Sequence, residues 1–170
     1  MNTMSSAAIR PARQSDVPDI LAMIRELDRF ENLEETLQVN AALLESALFG
    51  PSASAAALVA RSGGETVGYA IYYTTFSSFV GRAGIFLEDL YVRPSFRKHG
   101  IGRALLEEVG RIAAKRQCGR FEWMALRWNE NALHLYEQIG ARPLEEWVSL
   151  RMENPQLSDF AGHPVSALAK

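Results

Sequence analysis

Glu88 and Asp89 sit side by side in the apolar run Ile85 to Val92, and a basic, glycine-spaced stretch, Arg97-Lys98-His99-Gly100-Ile101-Gly102-Arg103, follows shortly after. A carboxylate in a strand interior is unfavourable unless it has a partner or a task, and a common task is to accept a proton. Glycines before a helix let backbone N–H groups approach an anion. The helix N-terminus then adds partial positive charge, and Arg and Lys add full charge. The stretch therefore pairs a candidate base with a candidate phosphate-binding loop. The plainer readings are an edge-strand acid in solvent or in an ion pair, followed by an ordinary turn. Two nucleotide motifs fit poorly. A P-loop requires a Gly-Lys-Ser/Thr ending, which is absent, and a dinucleotide fingerprint requires Gly or Ala where Leu105 stands.

Other chemistry-bearing residues are sparser. Tyr136 shares a helical face with Leu133 and Ile139, so it reads either as a phenol that donates a proton or as a core tyrosine. Asn129 suits either a ligand amide or a helix cap. Glu31, Glu34 and Glu35 form an acidic cluster suited to a cation or to a solvated loop. His99, His134 and His163 share no metal-ligand spacing, so no metal is expected. Cys118 is the single cysteine, which excludes an intrachain disulfide and reads as a small half-buried hydrophobe.

These groups need a scaffold. Residues 7–13 read as a first strand stopped near Pro11, and Ser15 is placed to cap a helix carrying Ile20, Leu21, Ile24, Leu27 and Phe30 at helical spacing. Asn40 is placed to cap a second helix that ends at Gly50-Pro51. Residues 55–61 and 66–76 flank Gly63-Gly64 as a hairpin. A strand over Ile85 to Val92 leads to a helix carrying Ile101, Leu105, Leu106, Val109 and Ile112. A strand over Arg120 to Trp128, a helix from Asn129 or Asn131 to Gly140, and a last strand over Glu145 to Met152 complete the pattern. This order predicts an α/β protein: one domain over residues 1–153 with a polar tail at 154–170, built on a mixed sheet with helices on both faces. The strand–helix–strand unit around Gly100 implies a parallel pair, with a ligand at the carboxyl ends of the strands.

The 170 residues carry a net charge of -2, which gives no reason to expect nucleic-acid binding. No apolar run approaches the roughly 20 residues of a membrane span. The N-terminal stretch MNTMSSAAIRPAR lacks an apolar signal region, so a cytoplasmic protein without a membrane partner is expected.

The stretch Arg97 to Gly102 resembles the R/Q-x-x-G-x-G/A pyrophosphate motif of the GNAT N-acetyltransferases. IRPA at Ile9, ILAMIRELDRFENLEE at Ile20, VGYAIYY at Val67, LEDLYV at Leu87, HGIG at His99, WNENA at Trp128 and LYEQIGA at Leu135 narrow the resemblance. They resemble the diamine acetyltransferase branch, which includes spermidine/spermine and thialysine acetyltransferases. The resemblance implies the GNAT fold, with about seven strands and two of them parting around acetyl-CoA. It implies direct acetyl transfer from acetyl-CoA, as co-substrate, to a primary amine of a small molecule: a diamine, polyamine or lysine-like amine. Such an amine has a pKa of about 10 and must lose a proton before it attacks.

The resemblance implies that Glu88 receives this proton and that Tyr136, beside the cofactor sulfur, serves as the acid. A buried Glu88, packed among Phe86, Leu90 and Val92, is the expectation. The resemblance further implies that Leu90, Tyr91 and Val92 pair with the pantetheine arm. Arg97, Lys98, His99, Gly100, Ile101, Gly102 and Arg103 would hold the pyrophosphate, and Asn129 and Ala132 would touch the cofactor. Phe30, Glu31, Phe79, Glu88, Asp89, Glu122, Trp123 and Met124 match the amine side. In a regular strand Asp89 points away from Glu88, and a bulge would bring the two together. Two departures matter: Phe30 stands where the family often has tyrosine, and Ser77 and Phe79 stand where the polyamine enzyme has an acid and a tryptophan. A homodimer is expected from the resemblance and from the apolar segment Glu145 to Leu150. The alternative is a non-catalytic acyl-CoA-binding sensor or interaction module on the same fold.

Overall fold

A computed structural model describes residues 7–32 and 37–162 of the chain. The elements are β1 (Ala8–Pro11), a 3-10 turn (Gln14–Asp16), α1 (Val17–Glu31), α2 (Ala41–Phe49), β2 (Ala56–Ser62), β3 (Glu65–Ser77) and β4 (Arg82–Val92). A second 3-10 turn (Pro94–Phe96), α3 (Ile101–Lys115), β5 (Arg120–Trp123), α4 (Glu130–Gln138) and α5 (Gln156–Phe160) follow. The chain divides into two compact units, one through Asn129 and one from Glu130.

The first unit holds a mixed sheet of five strands in the order β1-β2-β3-β4-β5. The first four pair antiparallel, and β5 runs parallel to β4. Strand alternation sorts the two faces. Ala57, Val59, Tyr69, Ile71 and Tyr91 point toward α1 and α2, where they pack with Val17, Ile20, Met23, Leu44 and Leu48. On the opposite face α3 brings Leu105 against Gly68. A Cβ at Gly68 would lie 3.4 Å from Leu105 Cδ1 and 2.8 Å from the Tyr91 carbonyl oxygen, so only glycine lets the two strands and α3 close up here. Asn40 caps α2 as its type predicts, its side-chain oxygen accepting from Leu43 N–H at 3.0 Å.

Four expectations are corrected. The sheet of the described residues has five strands, not about seven. β5 ends at Trp123 rather than Trp128, and residues 145–152 form no strand. Trp147, Val148 and Leu150 are exposed there. Apolar alternation states a preference for a half-buried strand, but a strand exists only where its backbone pairs with another, and residues 145–152 pair with no described strand. Ser15 does not cap α1. The acid beside it does the work: Asp16 takes the backbone N–H of Arg13 at 2.7 Å and closes the 3-10 turn that leads into the helix.

In the second unit, α4 begins directly after Asn129, with Asn131 inside its first turn. It stops as the sequence implies. Gly140 has a φ of 86°, and Ala141 N–H reaches the Tyr136 carbonyl at 3.0 Å.

Asp16 is also the anchor of β1. Its carboxylate is almost fully buried and receives both guanidinium nitrogens of Arg10, at 2.7 and 2.9 Å. These bonds from Arg10, aided by Arg13 N–H and the charge of Arg61, hold its carboxyl below the usual aspartate range despite burial. Removing one partner of a buried pair leaves the other uncompensated. Asp16→Asn is therefore expected to lower the unfolding free energy at pH 7 by about 2–4 kcal/mol. Because the folded pKa lies below the unfolded one, the Asp16 contribution is present above about pH 4 and fades as pH falls further. Urea denaturation of both proteins across pH 2–7 checks this: the gap narrows toward the acid end.

Candidate active site

β4 has two unlike edges. On one side β3 pairs with it from Arg82 to Val92, whereas β5 pairs only with Gly84 to Leu87 on the other. From Glu88 onward, the second edge has no strand partner among the described residues. At the same point the β3–β4 register slips: Ile71 faces Asp89, Tyr72 faces Leu87, and Glu88 has no opposing residue. This is a β-bulge, which bends a strand and sharpens its twist. The bulge coincides with the parting of β4 from β5. Leu87 faces its partner Tyr72 and remains buried, while Asp89 stays on the α1 side with Ile71 and Tyr69.

Around the bulge lies a group of acids and phenols. Tyr69 is fully buried and donates its hydroxyl to Asp89 Oδ2 at 3.1 Å. Burial pushes the Asp89 carboxyl up to about 6; the Tyr69 bond opposes this, and the nearby charges of Glu88 and Glu31 add to it. Glu31, the last residue of α1, is also pushed up, by burial first and by Asp28 second. Tyr69 is raised well above its ordinary value, again by burial and then by Asp89. Tyr73, whose ring stacks on Phe86 at 5.3 Å, is raised by burial and by the charge of Glu88. Glu88 itself is exposed. The expected burial of Glu88 thus falls on Asp89 instead, because the bulge leaves Glu88 at the bend. Negative charge crowded in this way favours a cationic ligand.

A second group joins α1 to the loop after β4. The Arg97 guanidinium lies 4.9 Å from the Phe30 ring centroid and 5.3 Å from that of Tyr91. Its Nε donates to the Val92 carbonyl at 2.8 Å, and Trp128 packs on Phe30 at 5.4 Å. Tyr91 in turn donates to Glu26 of α1 at 3.1 Å. Arg97 therefore turns back toward α1, while Lys98, His99, Gly100 and Arg103 are exposed around the α3 N-terminus. That terminus has no side-chain cap. Its N-cap Gly100 has a φ of 79°, and Lys98 adopts a φ of 63°, so two left-handed residues shape the turn that presents the helix N–H groups. Ile101 is buried and Gly102 half-buried, and Arg103 pairs with Glu107 at 2.9 Å.

The remaining candidates fall at several places. Leu90 stands opposite Ala70, and Glu122 and Trp123 stand on β5 opposite Phe86 and Leu87. Met124 follows them, exposed. Phe79 sits in the β3–β4 turn, almost fully exposed, beyond the Ser77–Arg82 pair and about 20 Å along the strand from the acids. Ala132 and Tyr136 lie on α4 in the second unit, both half-buried. Glu34 and Glu35 lie outside the described residues. Tyr69, Tyr73 and Glu26 were not singled out from the sequence. The period-two spacing of Tyr69, Ile71 and Tyr73 was the available signal, but it does not reveal which residues of β4 they meet. Among the described residues, no group of three or more His, Cys, Asp or Glu could hold a metal ion, and no helix is long and apolar enough to cross a membrane.

Residues 21–141 match the profile of the Acetyltransferase (GNAT) family. The chain is 37% identical to a thialysine N-epsilon-acetyltransferase of Mus musculus, over 94% of this chain and 99% of that one. It is 33% identical to the spermidine/spermine N(1)-acetyltransferase-like protein 1 of Homo sapiens, over 94% of this chain and 24% of that longer one. Among solved structures, an integron cassette protein from the mobile metagenome of V.cholerae shares the fold with a TM-score of 0.77 at 25% identity, covering 92% of this chain and 98% of that one.

The raised carboxyl of Asp89 has a thermodynamic signature. Its folded pKa exceeds the unfolded value, so charging it is less favourable in the folded state. Wild-type stability should fall as pH rises from about 4 to about 6 and stay lower above that. Asp89→Asn removes the charge and keeps an acceptor for Tyr69. It is expected to be more stable than wild type by about 1–2 kcal/mol at pH 8. Urea titrations at pH 4 and pH 8 check this, with the difference confined to the higher pH.

Proposed function

The chain belongs to the Acetyltransferase (GNAT) family, and from that premise we propose that it moves the acetyl group of acetyl-CoA onto a primary amine of a small molecule. The observation that carries this reading is the parting of β4 and β5 at Glu88, between an acidic cluster on one side and the uncapped N-terminus of α3 on the other. The unpaired edge of β4 from Leu90 to Val92 offers backbone groups to the pantetheine amides. The N–H groups at Gly100 to Arg103, with Lys98 and His99 exposed beside them, suit the pyrophosphate. Asn129 and Ala132 complete the donor side in this reading.

The acceptor arrives as an ammonium ion, drawn by Asp89, Glu31 and Glu88. Glu88 takes one proton from it, directly or through water, and the neutral nitrogen attacks the thioester carbonyl. The new C–N bond leaves the nitrogen cationic; it gives up its second proton to water as the C–S bond breaks, and Tyr136 protonates the departing thiolate and is itself reprotonated from solvent. No acyl-enzyme is formed. Phe30, Trp123, Met124 and Glu122 bound the acceptor side. Phe30 lacks a phenolic hydroxyl, and Ser77 carries no charge for a long polycation, so a diamine or a lysine-like amine is the favoured substrate. The similarity to proteins named for thialysine and for spermidine/spermine supports the same range. The exposed Trp147, Val148 and Leu150 support a homodimer, and the single cysteine suits the cytoplasm.

A thiol-release assay with acetyl-CoA and a panel of putrescine, spermidine, lysine and thialysine tests the reaction. Glu88→Gln and Tyr136→Phe are each expected to lower kcat by about 100-fold or more. Binding of CoA without thiol release from any amine would instead make the chain a sensor. Light scattering at micromolar concentration should give the mass of two chains.

A further inference from the structure

Tyr69 is a wholly buried tyrosine whose hydroxyl meets a carboxylate, Asp89 Oδ2, at 3.1 Å. A buried phenol needs a partner, and the register explains how it finds this one. Ile71 stands opposite Asp89, so Tyr69 is the diagonal neighbour of Asp89 on the same face, within reach of a long aromatic side chain. The rest of the Tyr69 side chain is fixed: its ring lies 6.3 Å from that of Tyr91, inside the core shared with α1 and α2. The groups facing Asp89 are Glu88 from β4, Glu31 from α1 and Tyr69 from β3. The Tyr91 hydroxyl is taken by Glu26. No Lys or Arg forms an ion pair with Asp89, Glu88 or Glu31 among the described residues, and Asp89 Oδ1 receives no hydrogen bond there.

We propose that Tyr69 is a positioning residue of the acceptor site: its hydroxyl locks Asp89 by one oxygen so that the other, beside Glu88, meets the incoming ammonium group. The inference deepens the acetyltransferase reading for its substrate side and rests on that reading for the identity of the ligand. Asp89 gains two things from Tyr69. It is held in one rotamer, and its charged form receives a hydrogen bond that partly offsets its burial. Without the hydroxyl, Asp89 binds its proton more tightly, and a larger share of it is neutral when the amine arrives. Tyr69 acts only through Asp89, so its effect is a change in the charge and aim of that carboxylate.

The test follows the Asp89 carboxyl by 13C NMR titration in the full-length protein, with and without putrescine, in wild type and Tyr69→Phe. Wild type should titrate with a midpoint of about 6 and shift downward when putrescine binds. Tyr69→Phe should titrate higher by roughly half a unit or more, with a smaller response to putrescine. In steady-state assays the acid limb of kcat/KM should move the same way, and KM for the amine should rise several-fold more than KM for acetyl-CoA. In an Asp89→Asn background, Tyr69→Phe should add little further loss, because the two residues act as one unit. If Tyr69→Phe leaves the Asp89 midpoint and the amine KM unchanged, or if its loss simply adds to that of Asp89→Asn, the proposal is overturned. Should Tyr69→Phe fail to fold, Asp89→Asn decides: an acid limb and an amine KM like those of wild type would overturn the proposal, and loss of both supports it. Putrescine-dependent shifts of Asp89 that weaken in Tyr69→Phe, without acetyl transfer by any variant, would uphold the positioning role and overturn only the acetyltransferase reading.

Discussion

The arrangement depends on one break in a hydrogen-bond ladder. β4 and β5 pair as parallel strands only as far as Leu87, and the residue that follows, Glu88, has no partner on β3. A regular ladder would have satisfied every backbone group of β4 and left nothing for a ligand. The bulge ends that regularity at the strand centre, where α1 and α2 pack one face of the sheet. Within the first unit, the acids gather at this break, and the free strand edge and the glycine turn follow it.

Two aspartates, Asp16 buried and Asp89 half-buried, show how the same side chain meets opposite environments. Asp16 has both guanidinium nitrogens of Arg10 and a backbone N–H, and its carboxyl is held low. It fastens β1 to the start of α1. Asp89 has a single phenol and two like charges for company, and its carboxyl is held high. The first environment is complete, and in the proposed reading the second is completed by the ammonium group of the acceptor. The contrast in partners separates the two acids more sharply than burial alone, since Asp16 is the more buried of the two.

Much of the scaffold was legible in the sequence. The apolar spacing of α1 and α3, the Asn40 cap and the Gly63-Gly64 turn each follow from local chemistry, and each stands where that chemistry puts it. The failures share a physical origin in partners distant along the chain. Residues 145–152 alternate like a strand but pair with no described strand, and β5 stops when β4 turns away from it. Asp16 displaced Ser15 because Arg10 and Arg13 were there to meet it. At the site, the glycine turn and the pair of acids could be read from spacing, whereas the order of importance within the pair could not. Which acid is buried depends on the register between β3 and β4, and one slipped residue reverses it.

The free edge of β4 also bears on how such a site changes over generations. In the proposed reading the donor is held largely by main-chain groups, on a strand edge and at a helix end, and these persist through most substitutions. The acceptor is met by side chains drawn from α1, β3 and β5, each open to replacement one codon at a time. A lineage built on this plan can trade one amine for another while its acyl donor stays fixed. On that plan, drift in preference is expected at exposed side chains such as Phe30, and inheritance at the backbone from Leu90 to Arg103.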